Sequence, residues 1–152
     1  MYIWELDGVA PHRLLTTNNS GAFTPDGHRL LTLGTNREII TLDVATGASV
    51  EPPIATQLVD RQGEPNIAPP TLILSPDGTR LAIVAGDYVI VEIWNWNTRR
   101  LLYSLPKQEG RLSGIKWSPD SQRLAVGHEE NATAIWNLKE VEQTLAKLGL
   151  NP

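Results

Sequence analysis

The stretches SPDGTRLA at residues 75–82 and SPDSQRLA at residues 118–125 are nearly identical, and TPDGHRLL at residues 24–31 is a third, more divergent copy. The prolines that align the copies are Pro25, Pro76 and Pro119, which are 51 and 43 residues apart. Proline sets the backbone for the first central position of a turn, and Gly or Ser tolerates the tight geometry after it. The pattern therefore predicts three equivalent turns, each capped by its own aspartate side chain. These aspartates are Asp26, Asp77 and Asp120.

Apolar runs surround each of these turns in the same order. One short run precedes the turn, a second follows it, and a third comes after a polar corner, all rich in Ile, Val, Leu, Thr and Trp. Such runs bounded by turn residues are typical of β-strands. A repeat of 43 residues lies within the range of about 40–45 residues for a four-stranded propeller blade. The repeat of 51 residues is longer by about one loop insertion.

The third run of two copies ends in EIWN at residues 92–95 and AIWN at residues 134–137. With the turns, these endings resemble the WD-repeat β-propellers, whose Trp-Asp pair maps onto the positions of Trp94 and Trp136. Propellers with TolB-like repeats share the Pro-Asp-Gly corner but usually lack this ending. The resemblance implies an all-β fold of about three blades of four antiparallel strands, and a non-catalytic protein-interaction scaffold. The final residues, LAKLGLNP, are similar to the tails of bacterial propeller proteins, including some fused to protein kinases.

The blades do not fill a closed ring. We expect a partial propeller over residues 1–137, followed by a helix. Its parts are a half-blade at 1–18, blades at 19–58 and 70–105, a three-strand blade at 112–137 and the helix at 138–149. Thirteen strands make little more than three blades, whereas closed propellers use about 4–8. The chain is therefore expected either to belong to a longer propeller or to complete a ring with other copies, which makes a homo-oligomer or association with further blades the expected state.

The C-terminal residues change from strand to helix periodicity. Val141, Leu145 and Leu148 are spaced to lie on one helix face. Asn137 and Glu140 predict a capping box at the start, and Gly149 predicts a left-handed stop. The helix is expected to cover the flank of the last blade, or alternatively to dock a partner helix.

Two places are candidates for binding a protein partner. The extra residues of the longer repeat fall in ATQLVDRQGEPNIAPP at 55–70, a loop between blades. Surface loops on rigid scaffolds often bind ligands, although such an insertion can also be merely tolerated. Trp96 has no counterpart in the other repeats and is the aromatic residue expected to be most available. The polar loop candidates are Asp60, Arg61, Gln62, Glu64 and Asn66.

Composition argues against several other functions. The chain has no cysteine, three isolated histidines and no nucleophile motif, so no catalytic residue, metal site or cofactor is expected. A net charge of −4 argues against nucleic-acid binding, and no apolar run reaches the ~20 residues of a membrane span. We expect a cytoplasmic scaffold with protein partners. The alternative is a regulatory or sensing module of a larger bacterial enzyme, such as a protein kinase.

Overall fold

The computed structural model describes residues 2–3, 13–14, 20–34, 38–56, 71–85, 90–106, 112–128 and 132–150. Within these residues the chain forms thirteen strands, which pair in antiparallel sheets, and one helix. The predicted all-β fold with a short C-terminal helix is therefore confirmed. The chain divides into two compact units, residues 1–57 and 58–152.

The first unit contains two sheets. The two-stranded sheet is called the half-blade, and the four-stranded sheet is called blade 1. The strands of blade 1 lie side by side in chain order, as successive hairpins produce. The half-blade pairs β1 with β2. The strands of this unit are β1 (Tyr2–Ile3), β2 (Arg13–Leu14), β3 (Gly21–Phe23), β4 (Arg29–Leu33), β5 (Glu38–Asp43) and β6 (Ile54–Ala55).

The second unit contains blade 2, with four strands, and blade 3, with three. Both again lie in chain order, and the helix α1 (Leu138–Lys147) follows the last strand directly. The strands are β7 (Thr71–Leu74), β8 (Arg80–Ala85), β9 (Ile90–Asn95), β10 (Arg100–Ser104), β11 (Leu112–Trp117), β12 (Arg123–His128) and β13 (Thr133–Asn137).

Each of the three blades turns from its first strand to its second through the same hydrogen-bonded corner. In blade 2 the Asp77 carboxylate accepts hydrogen bonds from the Ser75 hydroxyl at 2.6 Å and the Thr79 backbone N–H at 3.0 Å. The Ser75 hydroxyl oxygen also accepts from the Arg80 N–H at 2.9 Å, which ties the two strands together. The equivalent groups belong to Thr24, Asp26, His28 and Arg29 in blade 1 and to Ser118, Asp120, Gln122 and Arg123 in blade 3.

The two faces of a blade can be told apart by the strand register, because successive side chains point to opposite sides of a sheet. We call the face that carries the arginine opening the second strand the front face. These arginines are Arg29, Arg80 and Arg123. The back face carries the last residue of the first strand. These residues are Phe23, Leu74 and Trp117.

The core of the second unit lies between the front face of blade 2 and the back face of blade 3. A hydrogen bond crosses this interface, because the Trp117 indole N–H donates to the Ile73 carbonyl oxygen at 3.2 Å. Blades 2 and 3 are therefore stacked by a continuous apolar layer. Its front-face members are Ala82, Val84, Val91 and Ile93, and its back-face members are Ile115, Leu124 and Val126, with Trp117 and Trp136 packed against them.

Helix α1 begins at Leu138, where the sequence predicts it to begin, but the side-chain hydrogen bonding at its start differs from the prediction. The Asn137 side chain does not bond a helix N–H; its amide donates instead to the Glu140 carboxylate at 2.8 Å, so the predicted capping box is wrong. At the other end Gly149 has φ 73°, and the N–H of Leu150 donates to the Leu145 carbonyl at 2.9 Å. This is the Schellman arrangement that ends many helices.

Candidate functional site

The predicted loop candidates for partner binding lie outside the described residues. Asp60, Arg61, Gln62, Glu64 and Asn66 all fall in the segment between residues 56 and 71. Their role in partner binding therefore stays a prediction.

Trp96 is less accessible than its sequence pattern predicts. Only 9% of its surface is exposed, and the Arg99 guanidinium lies 5.2 Å from the centre of its ring. Arg99 is the last residue of a tight turn and has φ 57° itself, and its guanidinium lies over the indole. The ring therefore stacks with a cation of its own chain, which leaves little of it for a partner.

The two tryptophans at the family-matched position have different hydrogen bonding. Trp94 is 5% exposed, and its indole N–H donates to the buried Glu92 carboxylate at 2.8 Å. Trp136 occupies the same position in blade 3, but its buried indole nitrogen has no hydrogen-bond partner within the described residues. A buried donor left without a partner costs about 1–3 kcal/mol. The third strand of blade 3 is therefore less well satisfied than that of blade 2.

A hydrogen bond that no sequence pattern predicts joins the corners of blades 2 and 3. Ser121 lies where the other corners have Gly27 and Gly78, and all three are left-handed, with φ 58°, 71° and 72°. The Asp77 backbone N–H donates to the Ser121 hydroxyl at 3.1 Å, and Ser121 is 1% exposed. In the sequence, this contact is indicated only by a serine at a turn position that favours glycine.

A polar cluster attaches α1 to blade 2. Two distances join the Arg80 guanidinium to the Glu142 carboxylate, 2.9 Å and 3.2 Å, and the Tyr103 hydroxyl donates to the same carboxylate at 3.4 Å. Burial, followed by the negative charge of Glu142, raises the pKa of Tyr103 far above its usual value, so the phenol stays a donor. Helix α1 thus connects the two blades, because it follows the last strand of blade 3 and its Glu142 bonds side chains of blade 2.

The front face of blade 3 exposes a large apolar side chain. Ile135 is 70% exposed, whereas Ile93, at the same register position of blade 2, is 0% exposed. Lys116 and Arg123 are exposed on the same face. This face therefore combines an apolar centre with two cations, and it is the strongest candidate for a docking surface.

The corner aspartates have the hydrogen bonding of turn caps rather than of acid–base catalysts. Hydrogen bonds from the Thr24 hydroxyl and the Ser118 hydroxyl hold the pKa of Asp26 and of Asp120 below the usual range. The carboxylates are therefore charged turn caps with local partners. Across the described residues, no group of three or more His, Cys, Asp or Glu side chains could hold a metal ion, and no helix is long and apolar enough to cross a membrane.

Comparison with known proteins gives relatives by sequence. No family model matches the chain. It is 38% identical over 72 residues to WD repeat-containing protein 18 of Danio rerio, covering 47% of this chain and 16% of that protein. It is 28% identical over 118 residues to WD repeat-containing protein 55 of Arabidopsis thaliana, covering 77% of this chain and 30% of that protein. It is 33% identical over 67 residues to the U3 small nucleolar RNA-associated protein 18 homolog of Drosophila melanogaster, covering 44% of this chain and 13% of that protein.

Solved structures show the fold. The structure of U3-55K matches with a TM-score of 0.58 at 19% identity, covering 80% of this chain and 36% of the other. The crystal structure of the RRP9 WD40 repeats matches with the same score and covers 35% of its chain. The chain thus spans about a third or less of these relatives. The sequence relatives named above are eukaryotic, so the expected bacterial type has no support. Two of these sequence relatives are named as WD-repeat proteins, and the solved WD40 structures share the fold of this chain.

Proposed function

We propose that this chain is a non-catalytic scaffold that binds other proteins, and that further blades complete a ring with it. The observation that carries the proposal is the last sheet: in the part of the chain that the structure describes, blade 3 has three strands, whereas blades 1 and 2 have four. Within the described residues β13 is a sheet edge, and a free edge is a template for pairing with another strand. Further blades can come from another chain or from another segment of a longer protein.

The side chains of β13 favour the same proposal. Ile135 is largely exposed, and the Trp136 indole nitrogen is buried without a hydrogen-bond partner in the part of the chain described. A strand added beside β13 would bring backbone carbonyls to this region, and carbonyl oxygens are the acceptors that an indole N–H requires. An additional strand can therefore offer an acceptor to the one indole nitrogen of β13 that has no partner among the described residues.

Proteins are the partners that we propose, rather than nucleic acids or membranes. One relative is named for its association with a small nucleolar RNA, but this chain has a net charge of −4. Phosphate backbones are bound by clustered Lys and Arg, and affinity follows the number of such contacts. We place the scaffold in the cytoplasm, which its lack of cysteine fits. No cofactor is part of the proposal.

The loop at residues 55–70 is the proposed recognition element. The test is to immobilise the full chain, incubate it with an extract of the source cells, and quantify the retained proteins by mass spectrometry. We expect specific proteins to be retained, and retention to fall several-fold in the triple variant Asp60→Ala, Arg61→Ala, Glu64→Ala. A matched control is Gln143→Ala with Lys147→Ala on the exposed side of α1. Equal retention by the loop variant would remove the loop from the site, and no retention by the parent chain would contradict the scaffold function.

The second candidate, a regulatory module of a larger bacterial enzyme such as a protein kinase, rests on the similarity of the ending LAKLGLNP. It predicts an in-frame catalytic domain upstream of this chain in the same coding sequence. Sequencing the full-length transcript would separate it from the independent scaffold.

A further inference from the structure

A bulge in the outer strand of blade 2 brings Tyr103 onto the front face. Leu101 lies opposite Trp94, which belongs to the back face. Tyr103 lies opposite Ile93, which belongs to the front face, and Leu102 is the extra residue between these two pairs. Strict alternation along β10 would instead put Leu102 on the front face and Tyr103 on the back face. Bulges are frequent next to active sites, where they re-aim a side chain. The bulge therefore gives the front face a phenol hydroxyl.

Two donors of this face converge on one carboxylate. Nη2 of Arg80 lies 2.9 Å from Oε1 and 3.2 Å from Oε2 of Glu142, and the Tyr103 hydroxyl donates to Oε1 at 3.4 Å. Arg80 opens β8 and Tyr103 lies in β10, with β9 between the two strands. Guanidinium and hydroxyl groups both donate to carboxylates, and the charged bond is the stronger of the two. These side chains therefore form a receptor for a carboxylate, and Glu142 of α1 occupies it.

A second cation lies in the same row of the front face. Asn95 of β9 is paired with Arg80 in β8 and with Arg100 in β10, and cross-strand partners share a face. Arg100 is exposed, and within the described residues no ion pair joins it to a carboxylate. The row therefore carries two cations, whereas α1 brings the single carboxylate of Glu142 to it. A ligand with more than one carboxylate would match this row better than α1 does.

Helix α1 is held by few contacts beyond its first residue. Leu138 is 0% exposed, whereas Leu145 is half-buried and Leu148 is 68% exposed. Among the described residues, every side-chain hydrogen bond from α1 to a blade ends on Glu142. The Arg80 and Glu142 side chains are 20% and 28% exposed, so other ions can compete for this pair. A helix of ten residues is also shorter than the about 12–15 that an isolated helix needs in water. The later turns of α1 can therefore separate from blade 2 and unwind while the sheets stay folded.

We infer that Arg80, Arg100 and Tyr103 form a binding site for an acidic segment of a partner protein, and that this segment displaces α1. Glu142 is the internal occupant, which keeps the site filled when no partner is bound. A segment with two carboxylates can bind both arginines, whereas Glu142 binds only Arg80. This difference in binding is what shifts α1 from its docked to its released state. The inference goes beyond the proposed function, because it uses residues outside the loop at 55–70 and names the chemistry of the ligand.

The first test measures binding of fluorescently labelled octaglutamate to the full chain by fluorescence anisotropy. Arg80→Met and Arg100→Met should each weaken binding at least about fivefold, because each removes a charged donor. The charge-matched control is Lys147→Met on the exposed side of α1, which should bind like the parent chain. Glu142→Gln should strengthen binding at least about fivefold, because an amide is a weaker occupant than a carboxylate. Its charge-matched control is Glu140→Gln, at an exposed position. If a variant and its control have equal effects, the inference is wrong.

The second test follows α1 by hydrogen exchange of the parent chain at saturating octaglutamate. The amides of residues 143–148 should exchange at least about fivefold faster than without the peptide, while those of β8 and β9 keep their protection. Octaglutamine at the same concentration is the control and should change neither. Unchanged exchange of α1 while octaglutamate is bound would overturn the inference.

Tyr103→Phe removes only a hydroxyl and replaces Arg80→Met if that variant loses the protection of blade 2. It should weaken octaglutamate binding at least about twofold, and binding equal to that of the parent chain would count against the site. Both tests use the purified chain, so their failure leaves the retention of other proteins by the immobilised chain unaffected. Failure of this inference and failure of the scaffold function are therefore distinguishable.

Discussion

Ser121 offers a test of how the blade corners contact one another. Its left-handed backbone, with φ 58°, costs a residue with a side chain about 1 kcal/mol relative to glycine. Its hydroxyl accepts the 3.1 Å bond from the Asp77 N–H, which contributes about 1 kcal/mol. Ser121→Ala removes the bond and keeps the strain, so it should lower the free energy of unfolding by about 1–2 kcal/mol. Ser121→Gly removes both, so its loss should be about 1 kcal/mol smaller.

The assay is urea denaturation, fitted with the same dependence of the unfolding free energy on urea concentration for every variant. Hydrogen exchange of the Asp77 amide is measured alongside it. Exchange should be faster in both Ser121 variants, because both lack the acceptor. Gly27→Ser is the control: φ is 71°, and an added Cβ meets nothing within 4 Å, so the strain of about 1 kcal/mol should appear without a compensating bond. The reasoning fails if Ser121→Gly destabilises the protein as much as Ser121→Ala, or if Asp77 exchange is unchanged.

Three further predictions concern the helix and the corners. A double-mutant cycle of Arg80→Met and Glu142→Gln should give a coupling of about 0.5–1 kcal/mol that decreases in high salt, because both groups remain partly exposed; additive single effects would contradict the pairing. Leu138→Ala should cost about 2–4 kcal/mol in chemical denaturation, since Leu138 is 0% exposed, whereas Leu148→Ala should cost less than about 0.5 kcal/mol. The pKa of Asp120 is lowered in the folded chain, so its stabilisation is present above the unfolded value near 3.9 and is lost as pH falls through the lower folded value. Asp120→Asn should therefore weaken the acid dependence of unfolding below about pH 4, and an unchanged pH profile would count against the turn cap.

Local sequence signals predicted the fold well because a blade is built from local hairpins. The Pro-Asp corner depends on residues within five positions of one another, so its recurrence at Pro25, Pro76 and Pro119 could be read from the chain alone. The stop at Gly149 was predictable for the same reason. The Asn137 side chain had two partners within reach, a helix N–H and the Glu140 carboxylate, and spacing alone could not choose between them.

Contacts between blades could not be predicted in this way. The bond to Ser121 and the pairing of Arg80 with Glu142 join residues 44 and 62 positions apart. No local pattern sets those distances, because they depend on how two sheets stack. Trp96 illustrates a different limit: its absence from the other repeats suggests availability, whereas only 9% of it is exposed and the Arg99 guanidinium lies 5.2 Å from the centre of its ring.

The corner hydrogen bonds have a consequence for how the chain acquires its structure. Every bond from Ser75 and Asp77 within their own turn spans at most five residues, so the turn can form before any sheet meets another. Closing such short loops takes about 10–100 ns, far less than the pairing of distant segments requires. Each hairpin can therefore act as an independent nucleus during synthesis. Because the turn depends only on its own residues, a duplicated copy of the Pro-Asp corner would form its turn without contacts to the rest of the protein.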